Sequence, residues 1–202
     1  MKNLLPGILA MAIIVVASNM LVLHPLGNYL TWGALSYPFA FLVTDLTNRL
    51  QGVQAARRVV LAGFVTGIAC SLVIGSFSPL VTLRVALGSG LAFLVAQLLD
   101  VTIFDRMRSG VWWKAPLVST LISSTIDTAI FFSVAFAAAL SFLEPANDVS
   151  WANGADALLG RGPMAPYWVS MAVADWLVKL AVALFALVPF RLFLLRLATR
   201  AV

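Results

Sequence analysis

Long apolar runs, separated by short polar and often basic segments, make up almost the whole chain. Crossing the hydrocarbon core of a bilayer takes about 20 mostly apolar residues. Runs of that kind lie at 4–23, 31–50, 58–77, 80–103, 113–142 and 166–195. The last two are long enough to tilt or to extend beyond the core. The third and fourth are joined by a very short turn at Ser78-Pro79. In lipid every backbone polar group must be satisfied within the segment, so each run is expected to be a helix. The pattern predicts an all-α integral membrane bundle of six helices, with residues 1–202 as one transmembrane domain. Lys2 to Ala17 has the outline of a signal peptide, but the apolar run continues to Leu23 and more spans follow. An uncleaved first helix is therefore expected.

Composition supports the pattern. The chain is 62% hydrophobic and 10% charged, where a soluble domain carries roughly 25% charged residues. The net charge of +5 would suggest nucleic acid in a soluble protein. Here the basic residues sit between apolar runs and read as topology signals, so no nucleic-acid partner is expected. Lys2, Arg49, Arg57, Arg58, Arg106, Arg108, Lys114, Arg191, Arg196 and Arg200 fall on one side if there are six spans; these are ten of the 13 basic residues. That side is expected to be cytoplasmic, with both termini inside a bacterial inner membrane. The single cysteine, Cys70, excludes an internal disulfide and a cysteine-based metal site.

Two segments stand out for packing and access. Gly63, Gly67, Ser71 and Gly75 share one face of the third run, which lets another helix approach closely, within the protomer or in a homodimer. The connection 143–165 is the one sizeable loop and is expected outside, as a lid over an external opening or as a solvated loop.

The candidate chemistry lies in polar residues inside the spans. An ionisable group in the bilayer core costs at least ~2.5–3.5 kcal/mol, so it normally faces the protein interior and finds a partner. Asp127 falls near mid-membrane in an unusually polar stretch with Ser119, Thr120, Ser123, Ser124 and Thr128. It has no basic neighbour within a turn, and is expected to be protonated, to pair with Lys179 or Arg84 across the bundle, or to bind something. Asp175 and Lys179 are four residues apart, on one helix face. Asn19 and Arg84 lie toward the outer ends of their spans. Asp45, four residues before Arg49, and Asp100, three after Gln97, lie toward the cytoplasmic ends. Asp45 with Arg49 reads equally as a structural ion pair, and Asp100 as a solvated helix end. Trp32, Tyr37, Trp112, Trp113, Tyr167 and Trp168 read as an interfacial belt, although Trp32 and Phe39 are also placed to stack on a planar ligand. HExxH, GxSxG and a phosphate-binding glycine loop are all lacking. The expectation is a solute site without cofactor or metal, and not an enzyme.

Several motifs carry a more specific likeness. The stretch Thr31-Trp-Gly-Ala-Leu-Ser-Tyr-Pro-Phe-Ala-Phe-Leu-Val-Thr-Asp-Leu-Thr-Asn-Arg49 resembles the queuosine-precursor transporters, which are also grouped with vitamin uptake transporters. The likeness continues in Gln97-Leu-Leu-Asp100, Trp112-Trp113-Lys-Ala-Pro116, Ser119-Thr120-Leu121, Asp127-Thr128 and Asp175-Trp-Leu-Val-Lys179. The resemblance implies six helices in a fold similar to the substrate-binding subunits of energy-coupling-factor vitamin transporters. It also implies a stand-alone carrier of a 7-deazaguanine, the cyano or aminomethyl precursor of queuosine. A substrate-capture subunit for a vitamin or nucleobase, working with an energising complex, is the alternative. Such subunits often carry an Ala-x-x-x-Ala docking motif in the first helix, and residues 4–23 have none.

The chemistry agrees with that substrate class. A guanine-like edge presents adjacent N–H donors beside a carbonyl, and one carboxylate accepts two such bonds. Asp127 or Asp175 is expected to read the donor edge. Lys179, Arg84 or Asn19 would meet the carbonyl or balance charge, and Trp32 or Phe39 would stack on the ring. Asp45, Gln97 and Ser124 complete the candidate set. Buried aspartates permit proton coupling; facilitated diffusion is equally compatible.

Overall fold

The computed structural model describes residues 3–199, so Lys2 and Arg200 lie outside the described residues. Pro6 opens the first helix, α1 (Leu5–Leu21), from its first turn, where the missing N–H has no helical partner to lose. A small antiparallel hairpin follows, with β1 (Pro25–Leu26) and β2 (Leu30–Thr31) pairing Leu26 with Leu30. Next come α2 (Gly33–Ser36) and α3 (Phe39–Gln51). The long helices are α4 (Val53–Gly75), α5 (Leu83–Met107) and α6 (Lys114–Phe136). The connection after α6 then runs through 3-10 turns at Ala138–Leu143, a short α7 (Ser150–Asn153) and a hairpin of β3 (Ala155–Ala157) with β4 (Met164–Pro166). The last helix is α8 (Tyr167–Thr199).

Four helices, α4, α5, α6 and α8, are long and apolar enough to cross a membrane. α1, also apolar, has 17 residues and reaches about 26 Å at 1.5 Å per residue. The expected second span, 31–50, is not one helix. It breaks between α2 and α3 at Tyr37-Pro38, because proline has no N–H to continue the ladder. The expected fifth span, 113–142, is α-helical only to Phe136, where Ala137 turns extended. The third begins earlier than expected, at Val53, because Gly52 makes a tight joint with α3 at φ 87° and ψ 175°. That backbone conformation is essentially reserved for glycine.

Polarity is inverted relative to a water-soluble protein. Leu72 is 72% exposed, Val65 65% and Phe185 63%, while Asp100, Gln97, Asn48 and Ser123 are wholly buried. Apolar side chains outside and polar ones inside are what a lipid surround selects, and the chain is a membrane protein. The core packs Met11 and Val15 of α1 against Val59 and Val60 of α4 and Phe93 of α5. A second cluster joins Phe104, Ala115 and Phe190. α5 and α6 form the most extensive helix pair.

The small-residue face of α4 is used inside the protomer. A methyl group added at Gly63 would come within 2.6 Å of Met11 and 2.8 Å of Phe93. Further along, Gly67, Ser71 and Gly75 border a half-open groove of about 450 Å³ between α1, α4 and α5, with the exposed Leu72 and Leu87 at its rim.

Side-chain contacts mark two ends. At one, Gln51 donates to the Asn3 carbonyl, Arg49 to the Arg108 carbonyl, and Arg191 stacks on Trp112 at 4.9 Å. At the other, Tyr167 donates to the Asn28 carbonyl, and Trp151 packs against Phe136 and Tyr167. The segment 138–166 is thus tied to the helix ends beside it.

Candidate functional site

α6 and α8 bring a cluster of ionisable side chains together inside the protein. Lys179 lies 2.7 Å from Asp127 and 2.5 Å from Asp175, and donates to Thr128 at 2.9 Å. Thr128 in turn donates to Asp175 at 3.0 Å. The i,i+4 spacing on α8 places Asp175 and Lys179 on one face. Asp127 and Thr128 come from the facing side of α6. Lys179 and Asp127 are both buried, so each charge depends on the others for stabilisation that water would otherwise supply.

Tyr37 completes the cluster. Its hydroxyl donates to the free oxygen of Asp127 at 3.1 Å. The Lys179 ammonium sits 5.6 Å from its ring centre. Phe41 and Phe93 hold that ring edge-on, at 6.5 and 6.2 Å. Position near a span end made Tyr37 read as part of an interfacial belt; the Tyr37-Pro38 break turns it inward instead. A helix-breaking proline after an aromatic, inside an apolar run, was the signal available in the sequence.

Tyr37 also borders the 450 Å³ groove, along with Asn19, Ser71 and Ser89. One aromatic ring therefore stands between the charged cluster and a groove of ligand size. The groove wall is mainly apolar, with Phe64 and Phe93 among its side chains. Asn19 holds its own helix, donating to the Val15 carbonyl at 2.9 Å, and keeps its side-chain oxygen available.

The other candidates fall elsewhere. Arg84 does not approach Asp127. It is wholly buried at the start of α5, and donates to the carbonyls of Val134 at 2.9 Å and Ala137 at 2.6 Å, capping α6. Lys179, and not Arg84, is the partner of Asp127. Asp45 makes no ion pair with Arg49; its carboxyl adjoins that of Asp100 on α5. Asp100 is wholly buried and is not a solvated helix end. Gln97 accepts from Thr44 at 2.6 Å, and Asn48 donates to the Val101 carbonyl at 2.9 Å, so a second polar seam joins α3 to α5. Ser124 is buried and donates to the Leu121 carbonyl of its own helix. Trp32 is 47% exposed, at the entry to α2, and Phe39 begins α3 half-buried. Neither belongs to the charged cluster.

Comparison with known proteins adds an independent line. A family described as "Putative vitamin uptake transporter" matches residues 31–194. A protein of Escherichia coli named queuosine precursor transporter is 34% identical over 195 residues, covering 88% of this chain and 79% of its own. A Haemophilus influenzae protein named probable queuosine precursor transporter is 33% identical over 174 residues, covering 79% of this chain and 66% of its own. One of Bacillus subtilis with the same name is 31% identical over 179 residues, covering 78% and 68%. No solved structure matches the chain significantly. Each of the three relatives is named a transporter, none an enzyme.

Proposed function

The chain belongs to the vitamin uptake transporter family, and within it we propose an inner-membrane carrier that takes up queuosine precursors, 7-cyano-7-deazaguanine or 7-aminomethyl-7-deazaguanine. It is a transporter and not an enzyme. The observation that carries the substrate reading is the Asp127–Lys179–Asp175 cluster with Tyr37 at the edge of the 450 Å³ groove. A deazaguanine offers adjacent N–H donors and a carbonyl on one edge. A carboxylate suits the donors and an ammonium suits the carbonyl. In this reading the base enters from the groove and displaces Tyr37 from Asp127. Asp127 or Asp175 then reads the donor edge, and Lys179 meets the carbonyl. Asn19 is the polar group of the groove wall placed to reach a second part of the ligand. The cationic aminomethyl form would use whichever aspartate is left.

The proposed topology has six crossings, α1, the broken α2–α3 segment, α4, α5, α6 and α8, similar to energy-coupling-factor substrate-binding subunits. Both termini are cytoplasmic. The gathering of Arg49, Arg108 and Arg191 at one end of the molecule supports that orientation.

The test is thermal unfolding of the detergent-purified protein with both deazaguanines, guanine and a vitamin panel. A ligand at 100 times its dissociation constant stabilises by ~2.7 kcal/mol. Stabilisation confined to the deazaguanines is expected. A shift with a vitamin instead would overturn the substrate while leaving the family intact.

A further inference from the structure

The seam between α3, α5 and α6 holds a second pair of acids that the transport reading does not use. Asp45 on α3 and Asp100 on α5 lie within hydrogen-bonding range of each other, with Ser119 of α6 close to Asp100. Asp45 is 2% exposed and Asp100 not at all. Among the described residues no well-formed hydrogen bond reaches either oxygen of Asp100 or the Oδ1 of Asp45, and the Ser119 hydroxyl is turned to the Pro116 carbonyl. The seam carries two further unpartnered groups that are wholly buried, Nε2 of Gln97 and Oγ of Ser123. Gln97 lies one turn before Asp100 on α5. Ser123 lies one turn after Ser119 on the α6 face turned to α5.

Charge is the difficulty such a pair presents. Two carboxylates within hydrogen-bonding range in a low-dielectric interior repel strongly, and a cation is needed to hold them. Among the described residues no ion pair reaches Asp45 or Asp100. On α3, Arg49 donates to the Arg108 carbonyl. On α5, Arg108 pairs with Asp105 at 3.0 Å. On α4, Arg57 and Arg58 are exposed. α6 offers only hydroxyls to the pair. α8 presents Ala183 and Phe190 beside Asp45, while its Arg191 stacks on Trp112 and its Lys179 is held by Asp127 and Asp175. A metal ion would sit between the carboxyls and hold them apart. Two carboxyls within hydrogen-bonding range of each other can share one proton, as acid dyads do.

We propose that Asp45 and Asp100 form a proton-binding site, one proton shared between two carboxyls, separate from the Lys179 cluster. The site needs no substrate to be tested, so its failure and that of the substrate reading are distinguishable. The protein titrates as a pair, and neither residue owns the proton.

The experiment is infrared spectroscopy of the full chain in liposomes at neutral pH, comparing wild type with the D45N/D100N variant. Two asparagines preserve the shape and can bond to each other. The difference spectrum is expected to contain the carbonyl stretch of one protonated carboxyl group, shifting on exchange into heavy water. A difference spectrum without that band overturns the proposal. Where the variant does not fold, the wild-type spectrum still decides, since a complete lack of a protonated-carboxyl band at neutral pH refutes it.

Discussion

Lys179 is the residue on which the charged cluster turns. Removing it leaves Asp127 and Asp175 facing each other without a counter-charge. Breaking a buried ion pair from one side costs about 3–5 kcal/mol. Lys179→Met is therefore expected to lower the thermal stability of the purified protein by that order, and Lys179→Met combined with Asp127→Leu by less. A single variant as stable as wild type would show the cluster to be solvated. Asp127→Asn and Asp175→Asn are expected to insert normally and to lose uptake of the deazaguanine in liposomes; wild-type uptake in both sinks the assignment. Tyr37→Phe keeps the contacts to Phe41 and Phe93 and loses only the bond to Asp127. A hydrogen bond to a charged group contributes about 1.5–3 kcal/mol, so a measurable fall in the stability of the unliganded protein is expected, with ligand affinity kept or raised because the base no longer has to displace that bond. These acids and the lysine were legible in the sequence, because an ionisable group in an apolar run must have a reason to be there. Tyr37 was not, because an aromatic near a span end has an ordinary interfacial explanation. The Asp45–Asp100 contact was hidden too: Arg49, four residues on, offered a simpler partner, and only the packing of α3 on α5 shows which neighbour wins.

At the scale of elements, helix ends carry the arrangement. Glu144 accepts from the backbone N–H groups of Leu83 at 3.2 Å and Arg84 at 3.0 Å, capping α5 from a distance, while Thr82 caps Val85. The Arg84 side chain caps α6 in return. Losing a helix cap costs about 0.5–2 kcal/mol. Glu144→Ala is expected to destabilise by about that much, read as a fall in melting temperature, with ligand binding retained. Loss of binding without loss of stability would place Glu144 at the substrate instead. Apolar length predicted where helices lie but not where they end. Arg84 bonds to carbonyls some fifty residues away, and backbone acceptors leave no trace in the pattern of side chains. The break at Pro38 was likewise masked, because the run 31–50 is apolar enough overall to read as one span. Gly63 is the converse case: four-residue spacing of small residues signalled close approach, and the approaching groups are Met11 and Phe93 of the same chain. Gly63→Leu is expected to destabilise the monomer severely, since overpacking costs typically 1–3 kcal/mol or more; a variant of wild-type stability would mean that α1 and α5 yield easily.

For the whole molecule, two buried polar sites lie in one small bundle, a charged one built by α6 and α8 and an acidic one between α3 and α5. α3 runs directly from Pro38, beside Tyr37, to Asp45, so the two sites share an element. If the acid pair takes up and releases its proton during transport, an acidic exterior accelerates deazaguanine uptake in proteoliposomes with a neutral lumen. The Asp100→Asn protein loses that acceleration. An uptake rate indifferent to the gradient in wild type would make the pair a structural device only. That the chain is a mostly helical membrane protein was legible because lipid reduces that question to apolar runs; the sites depend on contacts between helices, which runs and charges do not encode.

The cross-capping of α5 and α6 has a mechanical consequence. Glu144 ties the segment after α6 to the head of α5, Arg84 ties the head of α5 to the tail of α6, and Asn153 closes the loop by donating to the Phe136 carbonyl at 2.8 Å. These three links form a closed truss at the end of the molecule opposite Arg49, Arg108 and Arg191. A truss moves as one piece, so a passage at that end is not made by lifting the loop from its helices. An opening on that side is then expected along α1 and α4, where the glycines of α4 border the 450 Å³ space, with α5 and α6 as the more firmly tied pair.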